Sequence, residues 1–237
     1  MTKVAVLYSG HVGGKTKETH IREGATEHPD IWHLCRTNQE VVLGDVDRYF
    51  YTYTEPQNTI YKQFSQIYEQ YYHKFHPAVV LCDSYRHNCA YPINVLNNWH
   101  NGFVGFSLVP NTYDIYIKSR CDIALMPHTP STKWYDITAY QEMINNLALD
   151  TLNLNKYAIK PNVIYVPRGF DWGELNDQFA IGTYETMRKY FEVYLSWQAL
   201  LNNGFAFHPE TFLNIHLQRQ GVKIVILDFS TYIIRSE

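Results

Sequence analysis

The sequence predicts an α/β fold in which a central, mostly parallel mixed sheet is flanked by helices. Short apolar runs at residues 3–9, 78–82 and 162–167 read as buried strands. Between the first two and beyond them, helical periodicity appears at 57–74 and 93–106. Strands and helices alternate in this way from residue 3 to about 125, as βαβ units do. With 237 residues, 46% hydrophobic and 18% charged, the chain can bury a sizeable core, and disorder is excluded.

The first strand, 3–9, is apolar enough to be covered on both faces, and it feeds Ser9-Gly10-His11-Val12-Gly13-Gly14-Lys15-Thr16. Glycines there permit positive φ and close backbone approach to a phosphate, while Lys15 adds a cation. Ser9 stands where a Walker A loop needs its first glycine, so the match falls one residue short. Residues 17–44 are polar and weakly patterned, and their histidines show no helical ligand spacing. A second strand is expected at 48–54, rich in aromatic and β-branched residues. Asp45 and Asp47 form a literal Asp-x-Asp just before it, at the wrong edge for a metal site, and read as a solvated turn.

The helix at 57–74 carries Ile60, Phe64, Ile67 and Tyr71 on one face. The strand after Pro77 ends in Asp83, a Walker B-like pattern. A helix over 93–106 is expected to break at Gly102 or Gly105. Then comes Tyr113-Asp114-Ile115-Tyr116-Ile117-Lys118-Ser119-Arg120-Cys121-Asp122-Ile123. It starts as a strand with Ile115 and Ile117 on one face and Tyr116 and Lys118 on the other. Ser119, Arg120 and Asp122 follow where that strand runs out, and the carboxyl ends of strands are where open α/β sheets bind ligands. Two readings stand: an Arg-Asp pair closing a corner, or a site for a metal or a diphosphate.

Beyond 125 the pattern loosens. One helix, or a helix and a turn, is expected within 136–153, then a strand at 162–167 and a turn at 168–173. Thr183 is suited to cap a helix running from Tyr184 to Gln198, with Met187, Tyr190, Phe191 and Tyr194 on its apolar face. Another helix starts at Pro209 and stops at Gly221, and two strands, 222–227 and 231–234, close the chain. Linker composition and internal repeats are missing from the sequence, so 1–237 reads as one domain.

The net charge of −3 gives no electrostatic case for nucleic acid. No apolar run approaches the ~20 residues of a membrane span. The first residues read as a strand, too short and too polar in its flanks for a signal peptide. Cys35, Cys82, Cys89 and Cys121 show no zinc or Cys-x-x-Cys spacing; as free thiols they predict a reducing, cytoplasmic compartment.

Four stretches in order, Ser9-Gly10-His11, Tyr113 to Ile123, Asn176-Asp177-Gln178-Phe179-Ala180-Ile181-Gly182 and His208-Pro209-Glu210, resemble one family. It is that of the GT-A glycosyltransferases building surface polysaccharides in bacteria and algal viruses, including the WavE-like group. The resemblance implies a single Rossmann-like GT-A domain, with nucleotide-binding residues 1–125 and an acceptor and catalytic half at 126–237. It implies transfer from a nucleotide-diphosphate sugar, commonly UDP-linked, to a glycan or glycoprotein acceptor, in the cytoplasm (the host's, if the chain is viral).

Residue by residue, it makes Asp177 the general base, and makes Asp122 and His208 ligands of Mn²⁺ or Mg²⁺. Arg120 replaces the first Asp of the usual Asp-x-Asp, which leaves the hold on a metal loose. Ser9, Gly10, His11, Lys15, Asp83 and Arg120 would contact the nucleotide, with Tyr8 or Tyr53 stacking on the base. The rival reading is a P-loop nucleotide kinase or NTPase using Gly13-Gly14-Lys15-Thr16 and Asp83.

Overall fold

The computed structural model describes residues 2–9, 29–54, 78–83, 93–127, 158–169, 175–205 and 207–233. The expected helices at 57–74 and 136–153 lie outside them, as do Gly10, His11 and Lys15. The described elements are β1 (Val4–Ser9), α1 (Pro29–Leu43), β2 (Asp47–Thr54), β3 (Ala78–Asp83), α2 (Ile93–Leu108), β4 (Ile115–Ser119) and β5 (Ile123–Pro127). They continue as β6 (Val163–Arg168), β7 (Ala180–Gly182), α3 (Tyr184–Phe191), α4 (Val193–Asn202), α5 (Pro209–Arg219) and β8 (Lys223–Ile233).

All eight strands join one curled sheet in the order β3-β2-β1-β4-β7-β6-β8-β5. β3, β2, β1 and β4 are parallel, as are β6 and β8, while β7 and β5 run against their neighbours. The sheet is thus mixed and mostly parallel, as the sequence predicts. The chain winds outward from β1 through β2 to β3, then returns to the other side of β1 as β4. That reversal opens a crevice at the carboxyl ends of β1 and β4, the switch point at which such sheets bind ligands.

Alternation along β1 and β4 feeds two cores. Val6, Tyr8, Ile115 and Ile117 pack with Val42 and Leu43 of α1 on one face. Ala5, Leu7 and Tyr116 pack on the other with α2, α3, α4 and α5. Tyr8 is therefore a core residue, its ring stacked on Phe50 at 4.7 Å between centroids, and not a platform for a base. The side chain of Tyr53 lies outside the described residues.

Several local expectations give way to tertiary packing. The 17–44 segment holds a full helix, α1, whose buried positions Cys35, Asn38, Gln39, Val42 and Leu43 recur at helical spacing. Two of those positions are amides, so the stripe is invisible to a hydrophobicity reading. α2 does not break at its glycines. A Cβ on Gly105 would lie 2.7 Å from Tyr51 Cβ, and one on Gly102 would lie 2.9 Å from the Phe191 ring. These glycines let the helix sit close on the sheet and on α3.

The helix expected at 184–198 is two, meeting at Glu192. Thr183 makes no side-chain cap; its hydroxyl pairs with that of Thr186 at 3.0 Å. The two closing strands are one, β8, and the polar Asp228-Phe229-Ser230 sits at a bulge opposite β6. Gly105→Ala is expected to cost about 1–3 kcal/mol through overpacking, exceeding the gain of up to about 1 kcal/mol in helix propensity. A melting temperature at or above that of the unmodified chain would show that α2 has room to move.

Candidate active site

At the carboxyl ends of β1 and β4 lies a small cavity lined by Ser9, Asn98, Trp99, Gly102, Lys118, Asp177, Tyr190, Phe191 and Val193. Its volume of about 20 Å³ admits a water or one ligand oxygen. The helix α2 supplies one wall, the α3–α4 break the other, and the stretch before β7 brings in Asp177.

Asp177 is held through its neighbours and its backbone. Asn176 donates to Gly169 O at 2.7 Å and to Thr231 Oγ1 at 3.0 Å, and accepts from Gln178 N at 2.8 Å. Gln178 in turn accepts from Thr231 Oγ1 at 2.9 Å. Both amides are buried against β8. The Asp177 carbonyl accepts from Lys118 Nζ and, at 3.1 Å, from Tyr190 OH. The position of Asp177 is thus fixed through its backbone and its neighbours.

Lys118 and Tyr190 also line the cavity, and no sequence motif singles them out. Lys118 is 4% exposed, a cation inside an otherwise apolar strand, and that oddity was the available signal. Burial pulls its ammonium down to about 8, with the carboxylate of Asp177 opposing. Burial, then the negative charges of Asp177 and Glu210, push the Tyr190 phenol well above its ordinary range. Ser9 is 2% exposed and its Oγ has no hydrogen-bond partner among the described residues.

Next to the cavity, the 119–122 corner is closed by Arg120 and Asp122. Arg120 Nε lies 2.7 Å from Asp122 Oδ1, and its terminal nitrogen lies 2.5 Å from Oδ2. Burial alone would lower the Arg120 pKa; Asp122, through charge and hydrogen bonding, more than reverses this. From α1, Gln39 donates to the carbonyls of Arg120 and Ile123 at 2.9 and 2.8 Å, and accepts from Ser119 Oγ at 2.7 Å. The corner-closing reading of this stretch describes the geometry seen.

The structure therefore brings Ser9 and Asp177 together, with Arg120 and Asp122 on the adjoining corner. Asp83 ends β3 at the same sheet edge but is separated from β1 by β2. That separation lends no support to the P-loop reading, whose glycine loop lies outside the described residues. His208 stands just ahead of α5, its Nδ1 3.2 Å from Thr211 Oγ1 and 3.4 Å from Glu210 Oε2. Asp47 begins β2 at the opposite edge and accepts from Tyr113 OH at 2.7 Å.

A divalent cation does not fit this arrangement. Both Asp122 oxygens accept from Arg120, and among the described residues no three His, Cys, Asp or Glu side chains converge as ligands. Asp122 is engaged by Arg120, and His208 by Thr211 and Glu210.

Comparison with solved structures fixes the fold class. The chain resembles the glycosyltransferase GlyE of Streptococcus pneumoniae TIGR4, with 12% identity and a TM-score of 0.51 over 96% of this chain and 45% of that one. The architecture is an α/β, Rossmann-like GT-A fold. The chain thus spans less than half the length of GlyE. The apo form of GlyE gives 10% identity and a TM-score of 0.49, over 94% and 45% of the two chains. A 4-diphosphocytidyl-2C-methyl-D-erythritol synthase from Anaerococcus prevotii DSM 20548 gives 8% and 0.43, over 97% and 87%. No protein-family model and no curated protein matches the chain. Among the described residues, no helix is long and apolar enough to cross a membrane.

Proposed function

We propose that this chain is a glycosyltransferase that moves a sugar from a nucleotide-diphosphate sugar to a hydroxyl of a glycan acceptor, with Asp177 as general base. One observation carries the reading: a carboxyl-bearing residue, anchored through its backbone, lines the cavity at the switch point of a GT-A sheet. In the reaction the acceptor O–H gives its proton to an Asp177 oxygen while its own oxygen attacks the anomeric carbon. The bond from that carbon to the diphosphate oxygen breaks, and the nucleotide diphosphate leaves with the electron pair. Direct displacement of this kind inverts the anomeric centre.

The two halves meet in the cavity, which supports a single catalytic unit. Ser9, Asn98, Trp99, Gly102 and Lys118 come from residues 1–125, and Asp177, Tyr190, Phe191 and Val193 from 126–237. We take the first half for the donor and the second for the acceptor. UDP is the nucleotide that the resemblance to surface-glycan transferases favours, and Arg120 and Asp83 are its further contacts. The buried free thiols Cys35 and Cys121 suit work in a reducing cytoplasm.

The test is a thermal-shift screen of UDP, GDP, CMP, ATP and the matching nucleotide sugars, followed by a donor-hydrolysis assay. Stabilisation by a nucleoside diphosphate, with release of that diphosphate from its sugar, is the expected result. Stabilisation by ATP alone, or no hydrolysis of any donor, would overturn the reading.

A further inference from the structure

Lys118 is the charged group that the sequence motifs do not explain. It lines the cavity with Ser9, and one of its three N–H bonds goes to the Asp177 carbonyl, so that among the described residues two remain for a ligand. Ser9 contributes a buried hydroxyl with no partner among the described residues, on the next strand. A lysine ammonium and an unpaired hydroxyl on one wall form a donor pair for an anionic oxygen. The cavity has room for one such oxygen, so the rest of a larger anion would lie over the sheet edge.

The charges around it lead to the same anion. Lys118 interacts electrostatically with Asp177, Arg120 and Asp122. Arg120 and Asp122 are joined by two hydrogen bonds. Of the carboxylates acting on Lys118, Asp177 contributes most. When Asp177 takes up a proton, that contribution is lost, and the charge beside the cavity shifts by one unit toward positive. This is the charge that a departing diphosphate needs.

We propose that Lys118, with Ser9, binds the donor's diphosphate directly, so that an ammonium and a hydroxyl do the work of a divalent cation. The inference rests on the transferase reading and adds to it the group that stabilises the leaving diphosphate. Atoms and charge balance without a further reactant. The proton moves from acceptor to Asp177, the electron pair goes to the diphosphate, and Lys118 stays protonated.

Inorganic pyrophosphate is the appropriate probe, because it carries the proposed contact and no base or sugar. Its binding, and that of UDP, is measured by titration calorimetry in EDTA and again in Mn²⁺. The unmodified chain is expected to bind in EDTA, with a change of less than about threefold on adding Mn²⁺. Lys118→Met is expected to weaken binding by about tenfold or more, unrescued by Mn²⁺. Should that variant not fold by circular dichroism, Ser9→Ala is expected to weaken binding about fivefold.

Binding that requires Mn²⁺, or is unchanged in whichever of these variants folds, overturns the proposal. Donor hydrolysis that occurs only with Mn²⁺ would sink this proposal and leave the transferase reading standing. Pyrophosphate binding through Lys118 without hydrolysis of any nucleotide sugar would keep the anion site and remove the transferase.

Discussion

Asp177→Asn is expected to lower kcat by about 10²–10⁴ while leaving the donor Kd within about threefold. The substitution preserves shape. It also preserves the backbone carbonyl that Lys118 and Tyr190 hold, so the side chain stays where it was. What is lost is the capacity to accept a proton as the acceptor oxygen attacks. Initial rates with saturating donor, alongside donor titration, separate the two quantities. An unchanged kcat would reduce Asp177 to a loop residue and return the base to be sought elsewhere. A large rise in donor Kd with kcat preserved would make it a binding group.

Gln39→Ala is expected to cost about 3–5 kcal/mol of stability, a fall of roughly 10 °C in melting temperature. Gln39 is 1% exposed and satisfies three groups at once, the carbonyls of Arg120 and Ile123 and the hydroxyl of Ser119. Truncation leaves those groups buried with one partner fewer, where water has little access. Gln39→Glu makes the informative comparison. It keeps the acceptor for Ser119, loses both donations, and sets a carboxylate against two carbonyls. A loss below about 1 kcal/mol in Gln39→Ala would mean that the Arg120–Asp122 pair holds the corner by itself.

These two residues mark what could and could not be seen in the sequence. The strands at 4–9, 115–119 and 163–168 announce themselves because they are largely buried on both faces, and the strand at 78–83 by its apolar run. Asp177 stood out by its place in an ordered set of motifs. Gln39 and Asn38 did not, because their helix uses amides on its inner face to satisfy the backbone of the 119–125 corner. A partner 80 or more residues away in the chain is what makes a buried amide intelligible. Gly102 and Gly105 fail as predictors for a related reason. Their weak helix propensity is local, and the rings and strands that require them are distant. Lys118 was legible as an anomaly, while its role depended on Ser9 and Asp177, which only the sheet order makes its neighbours. The break at Glu192 and the bulge in β8 depend on packing that no local pattern records.

The pairing of Asn38 with Leu125 has a further consequence. Among the described residues β5 is the last strand of the sheet, bonded to β8 on one side. On the other side of that strand, Asn38 of α1 accepts from Leu125 N at 2.7 Å and donates to Leu125 O at 3.0 Å, the two bonds that another strand would make. One side chain thus stands in for a missing neighbour. An open edge is a template on which a second chain can dock and begin to aggregate, and α1 denies it that opportunity. A helix with an inconspicuous sequence therefore occupies backbone groups through which another chain could pair with the sheet.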